Sequence, residues 1–102
     1  MHLFDLSGKT AVITGSTKGI GKAIAQRMAQ HGANVVVSSR KQDACEEVAA
    51  EINQDWVQGE NRAVSIPCHI HHKDQLQNLV DKTKAEFGKI DILVCNAAVN
   101  PY

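Results

Sequence analysis

The sequence predicts an α/β fold, a doubly wound parallel sheet in the order β-α-β-α-β-α-β with helices on both faces. Three observations predict it. Short apolar runs alternate with segments of helical periodicity along the 102 residues. The runs ANVVVS and DILV lack polar alternation, as strands covered on both faces do. Gly32 and Gly88 stand where helical patterns stop and strands begin.

Residues 9–14, KTAVIT, form the first predicted strand. A helix over 18–31 follows, with Ile20, Ile24 and Met28 as the expected inward stripe and Ala23 and Ala25 as small fillers. Residues 33–38, ANVVVS, are a second strand dense in β-branched valine. The helix over 42–53 gathers Cys45, Val48, Ala49 and Ile52 on one face, and Asp43, Glu46 and Glu47 near its N-terminus suit the positive end of its dipole. Trp56 is expected to pack beyond its end. A polar loop around Gly59 leads to a third strand, 62–66 (RAVSI), which Pro67 closes. The helix over 73–87 sets Leu76, Leu79, Val80, Thr83 and Phe87 on one face. Residues 91–94 (DILV) make the fourth strand, and 96–102 a loop.

In the Rossmann strand order 3-2-1-4, a three-layer α/β/α arrangement, the chain reverses direction between strands one and four. Ligands bind in the crevice beyond the carboxyl ends of those two strands. Both loops 15–21 and 96–101 then belong to that crevice. No internal repeat, low-complexity segment or domain boundary interrupts the pattern, so residues 1–102 read as one part of a single domain.

Composition narrows the partners. Eleven basic and eleven acidic residues cancel and are scattered, which disfavours nucleic acid and anionic membranes. No stretch approaches the length of a membrane span and the N-terminus carries no basic amphipathic leader, so a cytoplasmic location is expected. Cys45, Cys68 and Cys95 are odd in number and lack CxxC spacing, which points to buried thiols rather than disulfides or a zinc knuckle. His69, His71 and His72 have no Cys or carboxylate at a familiar ligand spacing, so they are expected as solvated loop histidines and no metal site is assigned.

The segment TGSTKGIG, residues 14–21, places three glycines between a strand and a helix. A strand turning sharply into a helix presents unsatisfied N–H groups and the positive end of a dipole, which hold a phosphate if nothing bulky intervenes. Gly15 is expected to permit the tight turn, Gly19 the close approach of a pyrophosphate, and Gly21 the packing of helix on strand.

The spacing GxxxGxG differs from the GxGxxG of many dinucleotide-binding proteins. Here the chain resembles the short-chain dehydrogenase/reductase family, whose TGxxxGIG loop is matched by Thr14, Gly15, Gly19, Ile20 and Gly21. The family's NNAG landmark is similar to Cys95-Asn96-Ala97-Ala98, with two substitutions. The run NAAVNP, 96–101, is similar to the carbonyl and retinal reductase subgroup of the dehydrogenase/reductase member 4 type.

The resemblance implies an NADP(H)-binding part of an oxidoreductase acting between a small carbonyl compound and its alcohol, in a homo-oligomer, dimer or tetramer. The cofactor-binding residues it implies are Gly15, Ser16, Thr17, Lys18, Gly19, Ile20 and Gly21 in the loop, Ser39 and Arg40 after the second strand, His69 and Ile70 after the third, and Asn96, Ala97 and Ala98 after the fourth. Where an acid would accept from the ribose 2′-OH of NAD, this chain has Ser38-Ser39-Arg40. With no carboxylate to repel it, a 2′-phosphate can sit against Ser39 while Arg40 offers its planar fork of donors and Lys18 a second positive charge. At His69 the family often has an acid, and Ala98 adds a methyl where glycine is usual. Asn96 is expected either to brace the sheet or to touch the ribose.

Reduction of a carbonyl also needs a proton donor for the developing alkoxide. In the resembled family that work falls to a Tyr with a Lys four residues later, helped by a Ser and an Asn, all beyond these positions. The single tyrosine, Tyr102, is the last residue, and no catalytic residue is assigned. The chain is therefore expected to be a cofactor cradle without a proton relay, a portion of a longer enzyme with little or no turnover alone, and with an open sheet edge beyond strand four. The rival expectation is a non-enzymatic module that binds nucleotide or a partner.

Overall fold

The structure, a computed structural model, describes residues 5–69 and 72–96. Its elements alternate as β1 (Thr10–Thr14), α1 (Gly19–Gln30), β2 (Asn34–Ser38), α2 (Gln42–Asp55), β3 (Ala63–Ser65), α3 (Lys73–Phe87) and β4 (Ile92–Cys95). The four strands are parallel in the order β3-β2-β1-β4, the doubly wound Rossmann arrangement expected. Thr14 is level with both Ser38 and Cys95. The loops leaving β1, β2 and β4 therefore start from one edge of the sheet.

β-Branched residues in β1 and β2 alternate between two cores, one on each face. Ala11, Ile13, Val35 and Val37 face α1 and α2, packing with Ala25, Ala29, Cys45 and Ile52. Val12 and Val36 face the other way, against Leu79 of α3 with Ile66 and Cys68. Each fully buried valine or isoleucine contributes about 1.5–3 kcal/mol of transfer free energy, so the central pair of strands anchors the molecule. Thr10 and Asp91 tie β1 to the approach of β4: the Thr10 N–H donates to Asp91 Oδ2 at 2.9 Å and the Asp91 N–H to the Thr10 carbonyl at 2.9 Å.

Three expectations need correction. The inward face of α1 is Gly21, Ala25 and Ala29; Ile24 and Met28 are half-buried flanks, Ala23 is exposed, and Ile20 is 73% exposed. A helix that starts from a tight glycine turn runs too close to its sheet for large side chains to fit between them. Leu76, expected on the inward face of α3, is exposed, while Leu79 and Thr83 are buried. Cys95 is exposed, unlike buried Cys45 and Cys68, because β4 pairs only with β1 among the described residues. Elsewhere the ends differ by a residue or two: α2 continues to Asp55 and β3 is shorter. Trp56 packs partly buried against the larger core, just past the end of α2. No helix among the described residues is long and apolar enough to cross a membrane.

Candidate functional site

β1 passes into α1 through Gly15, Ser16, Thr17 and Lys18. Gly15 and Gly19 have φ of 63° and 64°, in the left-handed region where only glycine sits without a Cβ penalty. They bend the chain twice within five residues, and the second bend opens the helix. A Cβ at Gly19 would meet no protein atom within 4 Å, so glycine there serves the backbone and the space outside it, not packing. Gly21 is the opposite case. A Cβ there would stand 2.3 Å from the Gly15 carbonyl oxygen and 2.5 Å from Asn96 Nδ2.

The α1 N-terminus has the character of an anion site. Its N-cap, Lys18, makes no side-chain capping bond, and the first turn holds no acid. Among the described residues, orphan N–H donors and the positive end of the dipole are thus left without a side-chain acceptor.

Ser16 locks this loop to the sheet. Its hydroxyl donates to the Ile13 carbonyl at 2.7 Å and accepts the Ser38 N–H at 2.9 Å, while the Ser16 N–H donates to the Ser38 carbonyl at 3.1 Å. Ser16 is fully buried, so it shapes the loop from behind, whereas Lys18, Gly19 and Ile20 are exposed and Thr17 is half-buried. From β4, the Asn96 N–H donates to Thr14 Oγ1 at 3.0 Å. With its amide against Gly21, Asn96 braces the loop from the far side.

At the end of β2, Ser39 is half-buried and Arg40 exposed. The Ser39 carbonyl accepts the Cys68 N–H at 2.8 Å, which ties this corner to the end of β3. Among the described residues the ion pairs are Lys22 with Glu51, Arg62 with Glu86 and Lys89 with Asp91; neither Lys18 nor Arg40 takes part in one.

At the end of β3, the His69 N–H donates to Gln75 Oε1 at 2.6 Å, and the His69 and His72 rings meet edge to face with centroids 4.5 Å apart. Burial pushes the Cys68 thiol pKa up, so it stays protonated and unreactive. No cluster of three metal-ligating side chains exists among the described residues. Ile70, Ala97 and Ala98, also expected at the site, lie outside the described residues, as do His71 and Tyr102.

The sheet thus brings together Gly15 to Gly21, Ser39, Arg40, His69 and Asn96 at its carboxyl edge. A cleft of about 600 Å³, lined by residues including Ser7, Gly32, Asn34, Gly59 and Asn61, opens at the opposite, amino edge. Among the described residues it collects no helix N-terminus and no lysine or arginine. The bracing of the loop by Ser16 escaped sequence reasoning, whereas bracing was one of the two roles expected of Asn96; a serine directly after the first glycine, opposite a strand end, is the only trace of the Ser16 contact in the sequence.

The family model described as short chain dehydrogenase matches residues 9–102. Human dehydrogenase/reductase SDR family member 4 is 47% identical over 98 residues, covering 95% of this chain and 34% of that protein. Short-chain dehydrogenase/reductase SDRA of Arabidopsis thaliana is 47% identical over 96 residues, 94% of this chain and 36% of that one. Among solved structures, a short-chain type dehydrogenase/reductase from Mycobacterium marinum superposes with a TM-score of 0.85 at 44% identity, covering 95% of this chain and 38% of its own. L-Sorbose reductase from Gluconobacter frateurii, complexed with NADPH and L-sorbose, gives 0.86 at 34% identity, covering 94% and 35%. The chain spans about a third of the length of these relatives.

Proposed function

Because this chain belongs to the short-chain dehydrogenase family, an oxidoreductase family built on a nicotinamide cofactor, we propose that it is the NADP(H)-binding part of an enzyme that interconverts a carbonyl and an alcohol. The reading is carried by one observation: an uncapped helix N-terminus behind two left-handed glycines, with the exposed cations Lys18 and Arg40 on the same edge of the sheet. The residues fit the cofactor. Gly19 leaves room for a pyrophosphate at the α1 amides, Lys18, Ser39 and Arg40 suit a 2′-phosphate, and Asn96 is assigned to the nicotinamide side, where the family resemblance adds Ala97 and Ala98. His69 is assigned to the adenine side, where the family resemblance adds Ile70, and Thr17 and Ile20 lie within the loop, between its glycines. Ser16 holds the loop at its working angle.

When bound, the nicotinamide supplies the hydride. None of the 102 residues is assigned the proton transfer that must accompany it, so the chain alone is expected to bind cofactor with little turnover. The complex of L-sorbose reductase with NADPH supports the phosphate-bearing cofactor by analogy.

Calorimetric titration tests the proposal. NADPH should bind more tightly than NADH, and Lys18→Ala with Arg40→Ala should erase the difference. Equal affinity in the unaltered chain would overturn it. A second reading, a nucleotide-binding module that pairs with another polypeptide along β4, draws on Leu93, which is 61% exposed. A reading frame that continues into a Ser and a Tyr-xxx-Lys favours the enzyme; a stop codon after Tyr102 favours the module.

A further inference from the structure

Ser39 is held from inside the fold by groups that have no place in cofactor binding as described so far. Its Oγ accepts the Lys41 N–H at 3.2 Å and lies 3.3 Å from Cys45 Sγ. Its carbonyl, already accepting the Cys68 N–H at 2.8 Å, has the same sulfur at 3.8 Å. Cys45 is fully buried in the first turn of α2, while Ser39 is half-buried. One side of Ser39 therefore faces protein donors, and the rest of this half-buried residue is open at the carboxyl edge of the sheet.

Distance orders the acceptors open to the Cys45 thiol. A thiol has a single, weakly donated hydrogen. Of its two oxygen neighbours, Ser39 Oγ is the nearer, at 3.3 Å against 3.8 Å for the carbonyl, and we assign the hydrogen to it. A hydroxyl oxygen has two lone pairs and one proton. With the Lys41 N–H on one lone pair and the Cys45 S–H on the other, Oγ is saturated as an acceptor and can act further only as a donor. Its one protein acceptor among the described residues other than sulfur, the Lys41 carbonyl, is at the 3.5 Å limit. The Ser39 proton is thereby kept for an acceptor that arrives from solvent.

We propose that Cys45 is a positioning residue for cofactor discrimination: by donating to Ser39 Oγ from behind, it presents the Ser39 O–H as a donor to the 2′-phosphate of NADP(H). This rests on the reading of Ser39 and Arg40 as the 2′-phosphate subsite. A phosphoryl oxygen is acceptor only and charged, so it gains from a hydroxyl committed to donating. The ribose 2′-OH of NADH carries its own proton and no charge, and gains little.

The test is calorimetric titration of the full 102-residue chain with NADPH and with NADH, comparing the unaltered protein with Cys45→Ala, Cys45→Val and Cys45→Ser, each checked for native secondary structure by circular dichroism. Loss of one oriented hydrogen bond predicts about a five- to tenfold weaker NADPH affinity in Cys45→Ala, with NADH unchanged. Cys45→Val, which fills the space without a donor, should behave alike should the alanine variant fail to fold. Cys45→Ser keeps a donor and should restore the preference. Retention of the NADPH-to-NADH ratio in the donor-less variants, or equal loss for both cofactors, overturns the role of Cys45 alone. An unaltered chain without preference for NADPH removes the subsite reading and this inference with it.

Discussion

Three glycines in one loop do three different things, and a single methyl group separates them. At Gly21, the added Cβ of alanine would collide with the Gly15 carbonyl and the Asn96 amide, and the loop or the helix must shift. Gly21→Ala is expected to lower stability by about 1–3 kcal/mol in urea unfolding and to abolish tight cofactor binding, whereas an unchanged midpoint would contradict the close packing. The same scale governs Asp91. The Thr10 N–H, with help from Lys89, holds its carboxyl below the usual carboxylate range. The unfolded chain takes up that proton first, so the stabilisation is complete above the ordinary Asp pKa of about 3.9. It is lost as pH falls through the lower folded value. Asp91→Asn should therefore shallow the acid limb of the stability profile while leaving its slope near neutrality unchanged, as melting temperatures between pH 2 and 7 will record. The turn at Gly15 and the packing at Gly21 were legible from the sequence because each excludes a Cβ. The partners of Asp91 and Ser16 were not, since hydrogen bonds across strands depend on register that no local pattern carries.

At the scale of elements, β1, β2 and β4 work as one platform because Ser16 fastens the loop after β1 to the end of β2. Ser16→Ala removes an acceptor from the buried Ser38 N–H, and a buried unsatisfied donor costs about 1–3 kcal/mol. Hydrogen exchange should accelerate at Ser38 and through the loop while the amides of α3, on the other face, change only by the global shift. Uniform acceleration would argue that the bond has no local role. Element order and type, and boundaries to within two residues, could be read from the sequence because βα alternation with valine-rich strands leaves few alternatives. The α1 stripe was misjudged for a physical reason. Periodicity finds large apolar residues, but a helix launched from a glycine turn lies close enough to its sheet that small residues face inward, and Ile20 is left outside.

The whole molecule is asymmetric in what it leaves uncovered. β3 and β2 are overlaid by α2, yet β4 presents Leu93 and Cys95 and, among the described residues, pairs along one side only. An unpaired apolar edge invites association. The 102-residue chain should self-associate in sedimentation velocity, and Leu93→Lys should move that transition to a protein concentration higher by on the order of tenfold; monomers at all concentrations would refute the exposed edge. The exposed thiol of Cys95 went unforeseen because an apolar run looks the same at the edge of a sheet as at its centre. The crevice itself was foreseeable, since a parallel sheet that reverses its winding between β1 and β4 gathers the intervening loops at one end. The cofactor is expected at this end, not in the cleft at the amino edge. Titrating isotopically labelled protein with NADP⁺ and following backbone amides by NMR tests it directly. Shifts are expected to concentrate at Gly15 to Gly21, Ser39 and Arg40, whereas shifts centred on Ser7, Gly32 and Asn61, or none, would contradict a cofactor site at the carboxyl edge.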